Sequence, residues 1–223
     1  MSNVESLEII TPSELEWLQK DFQQRIETEG VDREIDSVDA YLIWHRPNLR
    51  VIDRRVTFAG SEPAYNLVKT IVQRRIPDAN VYCAYQRQYL PHHVHVDDIT
   101  IPEGADKSRY CSFVIPLMED PSFKTFVWTK EFQDSTDLEH YRNYFRNNQE
   151  LFSPVNNLSS EHWLDHCSCS RAPEFVDCHE LDGYYEYRLG TVGKFPRIQM
   201  HASNNWLRSG QYTHKDLVIV HVH

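Results

Sequence analysis

The feature that most constrains this chain is the point where its helical periodicity stops. Thr11-Pro12-Ser13-Glu14 is a capping box with proline at the first helical position. Leu15, Leu18, Phe22 and Ile26 recur behind it at helical spacing, which predicts an amphipathic helix over 12–28. Glu62–Arg74 predicts a second, with Leu67, Val68 and Ile71 inward. Between them Ala40–Trp44 and Leu49–Phe58 read as strands joined by a turn at Arg46-Pro47-Asn48. From Asn80 onward short extended segments take over. Val81–Leu90 alternates aromatic and polar positions, and Tyr110–Leu117 and Phe123–Trp128 are apolar runs with Pro116 and Pro121 at the break between them. After a polar, helical stretch (Asp137–Glu150, with loops at Pro154 and Asn156-Asn157), strands resume at Tyr184–Leu189, Arg197–Ala202 and Asp216–Val222. Helices followed by many short strands predict an α+β, mainly β fold, its strands closing as a sandwich, barrel or jelly roll.

No repeat, low-complexity tract or clean linker divides the 223 residues, so one domain is expected. The chain holds 23 Lys and Arg against 33 Asp and Glu, a net charge of −10. A binder of the nucleic-acid backbone needs the opposite sign, so a nucleic-acid partner is disfavoured. Five cysteines do not form a complete disulfide framework, the first ten residues lack a signal pattern, and no apolar run approaches the length of a membrane span. The expectation is a soluble cytoplasmic protein without a membrane partner. Twelve histidines raise the prospect of a metal.

The sharpest local motif is Pro91-His92-His93-Val94-His95-Val96-Asp97-Asp98. In an extended segment residues two apart share a face. His95 and Asp97 then point the same way, with His93 beside them and His92 and Asp98 opposite. One imidazole and one carboxylate lack a third protein ligand. Non-haem Fe(II) oxygenase sites take two His and one carboxylate on one face of an octahedron. The second His must come from elsewhere.

Gly190-Thr191-Val192-Gly193-Lys194-Phe195-Pro196-Arg197-Ile198-Gln199-Met200-His201 supplies a candidate. It resembles the Gly…Phe-Pro…His strand pair of Fe(II)/2-oxoglutarate-dependent oxygenases, in the spacing of the prolyl-hydroxylase-like and phage-encoded branches. The stretch from Ala202 through Trp206 and Gly210 to Lys215-Asp216-Leu217-Val218-Ile219-Val220 is similar too. The likeness spans about residues 80–128 and 184–222. It implies a double-stranded β-helix (jelly roll) over 80–128 and 184–223, with residues 1–79 as helical and strand support and 129–183 as a helical insertion placed as a lid. It implies Fe(II) held by His95, Asp97 and His201, with 2-oxoglutarate and O₂ as co-substrates. Lys215 matches the basic residue that anchors the far carboxylate of 2-oxoglutarate, although most relatives carry Arg there; Arg208 and His214 are its rivals. Tyr85 matches a tyrosine placed against the co-substrate, and Arg109 and Ser112 are weaker candidates. His93 is a weaker rival to His95 as ligand. Asp97 disfavours halogenation, since related halogenases lack that carboxylate.

Other clusters carry less. His166-Cys167-Ser168-Cys169 with Cys178-His179 is tighter than usual zinc spacing and reads as reduced thiols. Arg46, Arg50, Arg54, Arg55, Arg74 and Arg75 read as solvated charges or ion pairs, with the holding of an acidic substrate or nucleic acid as the lesser alternative, His92 as a group near the site or on the surface, and His221 and His223 as structural or exposed. Tyr187 is grouped with the strand-core and pocket-wall aromatics. The expected function is a dioxygenase that hydroxylates a small-molecule or peptide substrate with release of succinate and CO₂. A cupin-like metal-dependent isomerase or hydrolase and a non-enzymatic ligand-binding jelly roll are the alternatives.

Overall fold

The capping box forms as read: Thr11 Oγ1 accepts from the Glu14 amide at 3.3 Å, and the Glu14 carboxylate accepts from the Thr11 amide at 2.8 Å. It opens α1 (Pro12–Arg25). The computed structural model describes residues 2–34, 51–97, 101–155, 173–204, 206 and 213–223. The strand expected over 40–44, with Asp98, Arg208, Gly210, Cys167 and Cys169, lies outside the described residues.

Helix α2 (Pro63–Gln73) buries Ala64, Val68, Ile71 and Val72, so its buried face is turned slightly from the one read, and Leu67 is only partly covered. Strands β1 (Glu5–Leu7), β2 (Val31–Glu34), β3 (Val51–Thr57), β4 (Val81–Gln88), β5 (Cys111–Pro116), β8 (Val192–Pro196) and β10 (Lys215–Val222) build one sheet in the order β1-β8-β5-β10-β4-β3-β2. Strands β6 (Asp120–Glu131), β7 (Leu181–Tyr187) and β9 (Gln199–Ser203) build a second in the order β7-β6-β9. Every pairing is antiparallel. The segment around His95 adds to the second sheet beside β9, by reciprocal 2.9 Å bonds between the backbones of His95 and His201.

Alternation along the strands sorts the side chains into three apolar layers. On β4 and β10, Val81, Cys83, Tyr85, Val218, Val220 and Val222 join α1 and α2 on the outer face of the large sheet. Val114, Leu217, Phe195, Val127, Tyr185 and Tyr187 fill the space between the sheets. Met200, Ala202, Phe126 and Trp128 face outward from the small sheet. There α3 (Ser135–Asn147) and α4 (Pro173–Asp177) cover them through Leu138, Phe145, Phe175 and Val176. The described helices of the 129–183 stretch back the small sheet, and Ser135 at the start of α3 reaches the cavity between the sheets. Val94 and Val96 belong to the same outer layer, so the chain that carries the site is clamped from behind. The result is a mainly β jelly roll with helices on both outer faces. Among the described residues no helix is long and apolar enough to cross a membrane.

The strand reading missed β1 and β2, which are short edge strands without apolar alternation. It also cut β6 short at Pro121. The strand begins at Asp120, and its pairing with β7 is irregular between Asp120 and Lys124, which accommodates the proline.

Candidate metal centre

Burying Val94 and Val96 turns His95 and Asp97 to the opposite face, into the space between the sheets. Strand β9 does the same from the other side: Met200 and Ala202 pack outward, and His201 faces in. The backbone bridge between His95 and His201 brings the two imidazoles to a ring separation of 4.3 Å. Asp97 Oδ1 lies 3.9 Å from His95 Nε2 and 3.8 Å from His201 Nε2. One ligand atom from each of the three lies within 4.8 Å of the others, close enough for one ion to share them.

The surroundings fix which atoms face that point. His95 Nδ1 donates to the His93 carbonyl at 2.7 Å, and His201 Nδ1 donates to the Gln199 carbonyl at 2.8 Å. Each Nε2 is left with its lone pair toward the centre, the tautomer a metal needs. The other carboxylate oxygen, Asp97 Oδ2, accepts from Ser112 Oγ at 2.5 Å. Ser112 Oγ in turn lies 2.9 Å from His221 Nδ1. That relay reserves Oδ1 for the ion. Burial acts to raise the Asp97 pKa, but His221, His201, His95 and the Ser112 bond outweigh it and hold the carboxyl well below its usual range. Burial, then the neighbouring His201, pushes His95 well below the ordinary imidazole value, so it is neutral and able to ligate. His221 is pushed down to about 4, chiefly by burial.

The triad opens onto a cavity of about 500 Å³. Lys215 lines it, at 1% exposure, on the first residue of β10. Its ammonium lies 4.4 Å from the centroid of the Tyr187 ring, and Tyr187 Oη lies 3.1 Å from Thr125 Oγ1. Among the described residues no carboxylate pairs with it, and burial alone lowers its pKa to about 7. A buried amine without its own anion, in one cavity with an open metal triad, suits a ligand carboxylate that would restore its charge. The residues present therefore fit both a divalent ion and a dicarboxylate.

The other expected residues divide. Ser112 joins the site through Asp97. His214 pairs with Asp216 at 3.5 Å, on the side of β10 away from the cavity, and among the described residues Arg109 reaches the Pro77 carbonyl. Tyr85 is not brought to the cavity. It points to the outer face of the large sheet, between Phe22 and Phe58, and its hydroxyl donates to Asp21 at 2.8 Å. Its neighbour Gln86 faces the cavity instead. His92, read as pointing away from His95, also lines the cavity, because the chain bends at Val94 before it becomes extended. His221 was read as structural, and Thr125 carries no sequence signal. Cys83 and Cys111 are buried and Cys178 half-buried, all as free thiols. Among the described residues the His95, Asp97, His201 group is the one found with metal-ligand geometry.

No protein-family model matches the sequence, and no curated protein matches it. Solved structures do share its fold. The non-haem α-ketoglutarate-dependent carbocyclase SnoK from nogalamycin biosynthesis superposes with a TM-score of 0.54 at 11% identity, covering 99% of this chain and 79% of SnoK. The epimerase SnoN, in complex with Fe³⁺, α-ketoglutarate and nogalamycin RO, gives 0.52 at 9% identity, covering 99% and 78%. A Pseudomonas putida prolyl-4-hydroxylase gives 0.50 at 8% identity, covering 100% and 93%. The chain therefore shares the fold of these enzymes, two of which are named as non-haem or Fe³⁺-bound α-ketoglutarate proteins. The three activities named differ, so the fold does not select a reaction.

Proposed function

We propose that this chain is a non-haem Fe(II)- and 2-oxoglutarate-dependent dioxygenase that hydroxylates its substrate with release of succinate and CO₂. One observation carries the reading: His95, Asp97 and His201 present one ligand atom each to a cavity that also holds the buried, uncompensated Lys215. Two imidazoles and a carboxylate suit Fe(II) and leave positions open. Once bound, iron and 2-oxoglutarate supply the activation of O₂ and the oxidation of a C–H bond.

The chain's own residues bind, orient and exclude water. The His93 and Gln199 carbonyls hold the imidazole tautomers, and Ser112 and His221 hold Asp97 to one oxygen. Lys215 receives the far carboxylate of the co-substrate, with Thr125 and Tyr187 beside it as hydroxyl partners. The apolar wall of Val114, Leu217 and Phe195 keeps solvent from the centre. Lys215, buried in the same cavity as the triad and without a carboxylate partner among the described residues, suits the far carboxylate of a chelated dicarboxylate and so weighs toward the oxygenase. We place the protein in the cytoplasm, as the five cysteines and the lack of a signal pattern in the first ten residues lead us to expect.

The test is anaerobic addition of Fe(II) and 2-oxoglutarate. A weak visible charge-transfer band is expected, and succinate on admission of air. Neither appearing would sink the proposal. Asp97→Ala should abolish both; hydroxylation retained in that variant would mean the triad is misassigned.

A further inference from the structure

The cavity wall holds more positive charge than the proposed chemistry uses. A divalent ion, Asp97, a dianionic co-substrate and Lys215 together sum to zero. Arg33 and Arg55 also line the cavity, in a protein whose net charge is −10. They project from β2 and β3, on the same face of the large sheet as Gln86 and Lys215.

Both guanidiniums rest on Asp53, which is fully buried. Arg33 Nη2 donates to Asp53 Oδ2 at 2.5 Å. Arg55 donates through Nε to Oδ1 at 2.9 Å and through Nη2 to Oδ2 at 3.2 Å. Gln86 Nε2 adds a 2.8 Å bond and His92 Nε2 lies at 3.3 Å. Two guanidiniums thus share one negative charge. The His92 imidazole completes the surroundings of Asp53. Its ring lies edge-on to the His95 ring at 5.4 Å, which joins this cluster to the metal centre.

The gradient of exposure gives direction. Lys215 is sealed in, whereas the Arg33 side chain is 47% exposed and that of Arg55 27%. The pair therefore sits at the open end of the cavity, where an incoming substrate arrives. Each guanidinium carries five donors in a planar fork that matches carboxylate and phosphate oxygens, and Asp53 leaves several of them available among the described residues.

We propose that the prime substrate is a small molecule bearing a carboxylate or phosphate group, which Arg33 and Arg55 receive at the cavity entrance while its oxidised carbon is held over the metal. This rests on the oxygenase reading for the reaction, but the anion site itself is testable without turnover. The probes are inorganic phosphate, acetate and the neutral match acetamide. Their binding is followed by ³¹P and ¹H nuclear magnetic resonance on the protein loaded with Zn(II) and 2-oxoglutarate, so that the metal and Lys215 are occupied. Phosphate or acetate is expected to bind saturably and acetamide not to; which anion binds tells the two sources apart. Arg33→Gln, which leaves Asp53 with Arg55 and Gln86, should weaken the anion on the order of tenfold. Arg55→Gln is the second variant, and circular dichroism establishes that both are folded.

Anion binding no stronger than that of acetamide, or unchanged in both folded arginine variants, would overturn the proposal. So would a loss seen in Lys215→Ala alone, which would move the anion to the co-substrate anchor. In turnover, succinate release should be stimulated by anionic members of matched acid and amide pairs, with the arginine variants raising KM more than they lower kcat. Arginine-dependent anion binding without the Fe(II)/2-oxoglutarate band would leave the anion site standing and remove the oxygenase.

Discussion

Asp97 is held by two groups that touch no other proposed ligand, and this makes the metal's affinity depend on residues outside the triad. Ser112 donates to Oδ2, and His221 stands behind Ser112. Removing such a partner typically costs about 10–100-fold in metal affinity or activity. Ser112→Ala and His221→Ala are each expected to fall in that range when Co(II) binding is titrated by its visible absorption, and wild-type affinity in both would show that the relay is incidental. Lys215 yields a pH prediction. Its folded pKa of about 7 lies below the ordinary 10.5, so the folded protein without co-substrate prefers the neutral amine. The unfolded chain then binds more protons between these values, and the contribution of Lys215 to stability grows as pH rises from 7 toward 10.5. A bound dicarboxylate restores the ammonium. Binding of 2-oxoglutarate at pH 8 to 9 should therefore take up a proton, seen by calorimetry as a dependence on the buffer's ionisation enthalpy, and Lys215→Ala should lose that dependence. That His95 and Asp97 face the same way was legible because an extended chain puts residues two apart on one face. Tyr85 misled because alternation sorts β4 into two sets without saying which set faces the cavity. The helices α1 and α2 decide that, and they claim the odd positions. His221 stayed hidden for the same reason.

At the scale of elements, β8 shows how a short strand without strong alternation is held. It lies between β1 and β5, and Gly193 on it faces Tyr185 of β7 across the sheets. A Cβ at Gly193 would sit 2.6 Å from the Tyr185 ring, which is buried and tied by its hydroxyl to Thr191. The ring cannot give way without breaking the layer between the sheets. Gly193→Ala is expected to cost about 1–3 kcal/mol. For a chain of this size that lowers Tm by roughly 2–12 °C, measured by circular dichroism, and an unchanged Tm would mean the layer is looser than it looks. Gly190, at φ +82°, makes the turn that leads into β8. Asn tolerates that conformation better than Ala, so Gly190→Asn should be the milder of the two substitutions. Helices α1 and α2 were legible because capping chemistry and helical spacing are local. Strands β1 and β2 were not: three and four residues long, they owe their pairing to partners about 190 and 20 residues away in the chain, for β1 Glu5 to Lys194 and for β2 Arg33 to Asp53.

Across the whole molecule, the site joins segments that the fold holds together by one backbone bridge and by the apolar layer behind the small sheet. His95 and Asp97 lie in the chain between β4 and β5, and His201 lies in β9 of the small sheet. The unfolded chain separates the two halves of the triad by more than a hundred residues, so it presents no preformed site. Metal binding is then coupled to the folded state. An ion at a hundred times its dissociation constant adds about 2.7 kcal/mol, which for a domain of this size is worth roughly 5–10 °C in Tm. Zn(II), which cannot turn over, should therefore raise Tm by that amount, and 2-oxoglutarate should raise it further only when the metal is present. Asp97→Ala should lose the metal-dependent rise, and Lys215→Ala should keep it but lose the co-substrate increment. A Zn(II)-induced rise preserved in Asp97→Ala would place the ion on other histidines, and the fold would then hold a metal somewhere other than the cavity between its sheets.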